Sequence, residues 1–139
     1  MSQTITPYVL YADCAAALDW LARAFGFEEV LRYVGEEGYV NHAEMKIGDG
    51  YIYLGDPGDH YRNPKELGQD TVGLYVHVDD VDAHFERAKA AGAEILREPQ
   101  DEEYGERRYD VVDPEGHRWY FARTIGNVAP EDWGAEVPA

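Results

Sequence analysis

Apolar and polar positions follow one pattern that runs twice along the chain. Residues 5–11 and 72–78 are short runs rich in β-branched, aliphatic and aromatic side chains, which predicts a strand at each place. An aspartate follows each run: Asp13 in the first case, Asp79 or Asp80 in the second. A short carboxylate there can accept from the free amides of a helix's first turn. Leu18, Leu21, Ala22 and Phe25 then share one helical face, as do Val81, Phe85 and Ala88. Gly26 and Gly92 stand where a left-handed residue ends a helix. Second strands are predicted over 27–34 and 93–97, third strands over 39–47 and 105–112, and fourth strands over 51–54 and 117–122. The last two of each set are joined by Gly48-Asp49-Gly50 and by Asp113-Pro114-Glu115-Gly116.

Laying residues 8–55 over 74–121 without a gap matches nine positions, among them Asp13/Asp79, Ala17/Ala83, Gly26/Gly92 and Gly50/Gly116. Chance at ordinary composition gives about three or four. The chain therefore reads as an α+β domain over 1–123 made of two tandem βαβββ modules. The first spans about 5–55 and the second about 72–123. Between them lies a linker, 56–71, carrying Asp56-Pro57-Gly58 and Asn63-Pro64. One module alone would leave a sheet face bare, so the halves must complete each other or pair with a second chain. The acidic tail, 124–139, is expected to be loosely ordered unless Trp133 docks on a partner surface.

Three segments carry a family resemblance over about residues 5–123: the helix from Asp13 to Gly26-Phe27, Tyr104-Gly105-Glu106-Arg107-Arg108, and Asp113-Pro114-Glu115-Gly116-His117. In order and spacing they resemble the vicinal oxygen chelate superfamily, which includes glyoxalase I, bleomycin-resistance proteins, fosfomycin-resistance enzymes and extradiol dioxygenases. His42-Ala43-Glu44-Met45-Lys46-Ile47-Gly48-Asp49 is also similar to a glyoxalase-like subgroup. The resemblance implies two curved sheets forming one mixed, cup-shaped sheet with helices outside, and a homodimer. In the metal enzymes it also implies four ligands on the inner wall, two per module. The corresponding positions here are Thr6, Gly73, Tyr120, and either Tyr53 or Leu54. None is an ordinary divalent-metal ligand, so no metal and no other cofactor is expected.

Composition narrows the partners. Twelve Lys and Arg against 28 Asp and Glu leave a net charge of −16 on 139 residues. That balance repels a nucleic-acid backbone and disfavours an anionic bilayer. It favours cationic small molecules over anionic ones. No apolar run approaches a membrane span, and Met1-Ser2-Gln3-Thr4 lacks the basic start and apolar core of a signal peptide. A single cysteine, Cys14, suits a reducing cytoplasm and reads as structural.

Strand alternation assigns the faces. Ala43, Met45, Ile47, Tyr109, Val111, Trp119 and Phe121 should meet the helices. The opposite, ligand-facing set is Tyr8, Leu10, His42, Glu44, Tyr75, His77, Arg108, Asp110, Arg118 and Tyr120. This lining suits a planar aromatic or amphipathic small molecule. His42-x-Glu44 admits three readings: a partly solvated polar pair, a ligand contact, or half of a displaced metal or acid–base site. The alternatives for the whole chain are a metal-free binding protein of sequestration or resistance type, and a lyase, isomerase or dioxygenase with shifted ligands. His117 is expected to bond to backbone, His60 to lie in a solvated loop, and His84 to sit on a helix surface.

Overall fold

The capping signals act where they stand in the chain. In a computed structural model describing residues 3–139, Asp13 accepts from the Ala16 amide at 3.1 Å and opens helix α1, Cys14–Phe25. The Met1-Ser2 portion of the opening lies outside the described residues. Gly26, at φ 81°, ends α1 in the left-handed region that a side chain rarely adopts. Asp80, not Asp79, accepts from the Ala83 amide and opens the equivalent helix α3, Val81–Ala90.

Around these helices the described residues form eight strands: β1 (Tyr8–Leu10), β2 (Glu28–Val34), β3 (Val40–Ile47), β4 (Gly50–Gly55), β5 (Gly73–His77), β6 (Glu94–Glu102), β7 (Glu106–Val112) and β8 (Arg118–Thr124). A short helix α2, Pro64–Leu67, interrupts the linker. The fold is α+β with two βαβββ modules. Each module makes its own four-stranded mixed sheet, ordered β1-β4-β3-β2 and β5-β8-β7-β6. β6 runs beyond the expected 93–97, through Pro99 to Glu102, at the edge of its sheet. An edge tolerates Pro99, which falls in an irregular stretch between Arg97 and Gln100.

Register settles the one-residue ambiguity between the repeats. Tyr8 lies beside Tyr53 in the first sheet, and Tyr75 beside Tyr120 in the second. Glu44 is opposite Tyr53 and Asp110 opposite Tyr120. Tyr53 is therefore the counterpart of Tyr120, and Leu54 is a fully buried core residue.

The core lies on the helix side of both sheets. Ala43, Met45, Tyr109, Val111, Trp119 and Phe121 are fully buried there, as alternation requires. Phe25 and Phe27, at the end of α1, place their rings 5.5 Å from Trp119 of the other module. The two modules thus share one core. Cys14 is buried in it, and burial pushes its thiol up to about 12, consistent with a structural role.

The Asp113–His117 turn clasps the first module. Glu115 accepts from the amides of Ala12 and Asp13 at 2.6 and 2.9 Å, and the buried Asp113 accepts from the Tyr11 hydroxyl at 2.7 Å. His117 bonds to the Leu10 carbonyl at 2.8 Å, as expected.

The two mixed sheets are those of the expected α+β fold, and they are not closed: β1 and β5 are both edge strands, and the faces away from the helices stay open. Tyr8 is 50% exposed and Tyr75 is 42% exposed on those faces. Within one chain the halves complete each other's core but leave those faces open. His84 is not on a helix surface but at the module junction. Its Nδ1 is 2.6 Å from the Tyr109 hydroxyl, its Nε2 2.8 Å from the Phe25 carbonyl, and its ring 4.1 Å from that of Phe121. The sequence pattern misses it because the surface that covers it belongs to α1.

Burial lowers the His84 pKa, with the Phe25 carbonyl opposing and the Arg87 charge assisting. A depressed imidazole means that the unfolded chain takes up the proton first. This contribution to stability is complete above about pH 6.5 and is lost as the pH falls from there. Urea midpoints at pH 7.5 and 5.5 should show a smaller acid-induced drop for His84→Gln than for the parent. Equal drops would remove His84 as a source of acid sensitivity.

Candidate functional site

The strand side chains that point away from the helices form two polar–aromatic clusters, one on each sheet. In the first, the Tyr8 hydroxyl is 2.8 Å from His42 Nδ1, and His42 Nε2 is 2.9 Å from the Glu44 carboxylate. A carboxylate only accepts, so Nε2 donates to Glu44, and in the neutral imidazole Nδ1 then accepts from the Tyr8 hydroxyl. The rings of Tyr8, His42 and Tyr53 lie 5.0–5.8 Å apart. Leu10 ends β1 at the side of a groove of about 360 Å³ that also touches Tyr8, Tyr61, Val72 and Leu74.

The second cluster is richer. Glu106 accepts from the Tyr75 hydroxyl and lies 2.6 Å from His77 Nε2. Burial alone would raise the Glu106 carboxyl, but these two partners outweigh it and hold the group below its usual range. Burial, with Glu106 adding to it, raises the Tyr75 phenol well above its ordinary value. Arg108 donates to Asp110 at 2.9 Å and to the Tyr104 hydroxyl at 2.9 Å, and stands 5.0 Å over the Tyr120 ring. The rings of Tyr75 and Tyr120 are 5.9 Å apart.

The ten residues expected from alternation therefore divide. Tyr8, His42 and Glu44 come together, with Leu10 beside them at the groove. Tyr75, His77, Arg108, Asp110 and Tyr120 form the second group. Arg118 joins neither. Its Nε is 3.7 Å from Asp70 of the linker, in a cavity of about 620 Å³ at the module junction. Alternation could have reached Glu106, which lies two residues before Arg108 on the same strand. Tyr104 falls in the turn before β7, where alternation carries no information.

The donor set does not fit the metal centre that the fold's enzymes use. The four wall positions hold Thr6, Tyr53, Gly73 and Tyr120, which offer hydroxyls or nothing where imidazoles and carboxylates would be needed. The Tyr120 ring also fills the place a side chain at 73 would take: a Cβ on Gly73 would lie 2.4 Å from Tyr120 Cε2. Among the described residues, no three His, Cys, Asp or Glu side chains group so as to hold an ion. No described helix is long and apolar enough to cross a membrane.

Residues 5–121 match the family model described as Glyoxalase/Bleomycin resistance protein/Dioxygenase superfamily. An uncharacterized protein of Mycobacterium bovis is 33% identical over 129 residues, covering 89% of this chain and 85% of the relative. Among solved structures, TioX from Micromonospora sp. ML1 superposes with a TM-score of 0.71 at 38% identity, over 91% of this chain and 98% of that one. A glyoxalase-related enzyme from Fulvimarina pelagi shares the fold, with a TM-score of 0.65 at 20% identity over 89% of each chain.

Proposed function

The chain belongs to the glyoxalase/bleomycin resistance protein/dioxygenase superfamily, and we propose that within it this protein binds a small planar, cationic or aromatic molecule without using a metal ion, as a sequestration or resistance protein in the cytoplasm. The observation that carries this reading is the Tyr120 ring lying over Gly73, where a ligand-bearing side chain would have to stand. Tyr75 and Tyr120 offer stacking area and Glu106 supplies negative charge beside it, the Asp110 charge being paired with Arg108. The net charge of −16 draws cations toward this face, though salt screens the attraction beyond about 8 Å. A homodimer would cover the open faces and finish the cup that one chain leaves unclosed.

One arrangement favours a second reading. His42 with Glu44 and His77 with Glu106 are two imidazole–carboxylate pairs on different sheets. Facing each other across a dimer, they could serve a metal-dependent lyase, isomerase or dioxygenase with shifted ligands.

Proflavine, a planar cation, and fluorescein, a planar anion, separate these possibilities when followed by fluorescence anisotropy. Proflavine should bind saturably and fluorescein should not. Tyr120→Ala should weaken proflavine by about 1–2 kcal/mol if stacking supplies the contact. Proflavine binding equally well to Tyr75→Ala, Tyr120→Ala and the parent would remove this wall as the site. Protein expressed with added Ni, Zn, Mn and Fe should retain less than about 0.1 equivalent of any of them, and stoichiometric retention would favour the second reading.

A further inference from the structure

The tail contributes to the same face. After β8, the amides of Ile125 and Gly126 both donate to the Gly105 carbonyl, at 2.9 and 3.2 Å. Gly105, at φ +93°, admits this approach: a Cβ there would lie 2.6 Å from the Gly126 carbonyl oxygen. A 3-10 turn, Pro130–Trp133, follows and is closed by the Ala135 amide on the Pro130 carbonyl at 2.9 Å. It sets the Trp133 ring against Tyr104, with centroids 5.8 Å apart at 61°. Tyr104 is the residue whose hydroxyl accepts from Arg108 and neighbours the Tyr75 hydroxyl. The tail was expected to be loose unless Trp133 met a partner surface. It meets its own second module instead.

Trp133 keeps 38% of its surface exposed although the turn and Tyr104 hold it in place. A core tryptophan would be covered, as Trp119 is at 0%. Glu131 and Asp132 flank it on the same turn and add negative charge. We infer that Trp133 is the outer aromatic wall of the second-sheet site, stacking on a planar cation held against Tyr75 and Tyr120. This rests on the binding reading above and adds the tail to the site. An aromatic wall beside carboxylates recognises a flat positive charge through both ring faces and field.

Proflavine again tests it, now followed by its own anisotropy and by tryptophan emission in the full chain. Trp133→Ala should weaken binding about three- to tenfold, the range expected for one lost aromatic contact. Trp133→Phe keeps a ring, so it should bind within about twofold of the parent yet lose most of the quenching. The other two tryptophans are Trp119, fully buried, and Trp20, which packs on Phe25. Parent-like affinity in Trp133→Ala, or full quenching in Trp133→Phe, would overturn the inference. Failure of proflavine to bind the parent would instead overturn the binding reading on which it stands. Matching thermal melts of the two variants and the parent confirm that a loss of affinity is local.

Discussion

Trp119→Ala should destabilise the protein by about 3–5 kcal/mol, the usual cost of truncating a large buried aromatic. Trp119 is fully buried, its ring stacks on Phe121 at 6.1 Å and 6°, and Phe25 and Phe27 from the first module lie against it. The cavity left behind would open at the place where the modules share their core, and β8, hydrogen-bonded between β5 and β7, cannot readily collapse into it. A domain of this size has about 5–15 kcal/mol of total stability, so the loss takes a large fraction of it. The melting temperature should fall by about 10 °C or more. Urea unfolding measures the change directly, and a loss below about 1 kcal/mol would mean that Trp119 is not the joint between the modules. Trp119→Phe should be milder. It retains most of the area and forfeits the indole N–H bond to Asp113 at 3.1 Å.

Asp113→Ala ranks next, at about 3 kcal/mol. One carboxylate oxygen accepts from the Tyr11 hydroxyl and the Trp119 indole at 2.7 and 3.1 Å, the other from the amides of Glu115 and His117 at 3.0 and 3.1 Å. Burial pushes the Asp113 carboxyl above its usual range, while His117 and these donors pull it down. Removing the side chain relieves the cost of a buried charge. It also leaves two buried side-chain donors without acceptors, at about 1–3 kcal/mol each, and frees the turn that clasps α1. The second effect is larger because the donors are held by a fixed turn and a packed core. A double-mutant cycle with Tyr11→Phe isolates it: Tyr11→Phe should cost the parent about 1 kcal/mol or more and cost Asp113→Ala almost nothing. Additive losses would show that Tyr11 and Asp113 are not energetically linked.

The two predictions concern the same boundary, the one that the repeat did not describe. Aligning the halves at a constant offset pairs Asp13 with Asp79, whereas the structure pairs it with Asp80, because the stretch from cap to glycine is one residue shorter in the second module (Asp80 to Gly92) than in the first (Asp13 to Gly26). Faces were legible without that detail: alternation depends only on parity within a strand, so Ala43, Met45, Trp119 and Phe121 could be assigned inward and His42 with Glu44 outward. Contacts were less legible. Glu106 needed one more step of the same alternation. Tyr104 and Trp133 meet only because Gly105 lets two distant segments touch, and no periodicity encodes that meeting.

Local chemistry along the chain thus determined the elements, their order, the duplicated module and the side of each sheet that faces solvent. Capping, turn formation and alternation are interactions between near neighbours, and a string of residues displays its near neighbours. Tertiary structure alone decided that the sheets stay separate, that His84 is enclosed, that Arg118 turns to Asp70, and that the tail lies beside Tyr104. Those outcomes depend on which surfaces meet after collapse, a competition among distant groups for burial that no local pattern records.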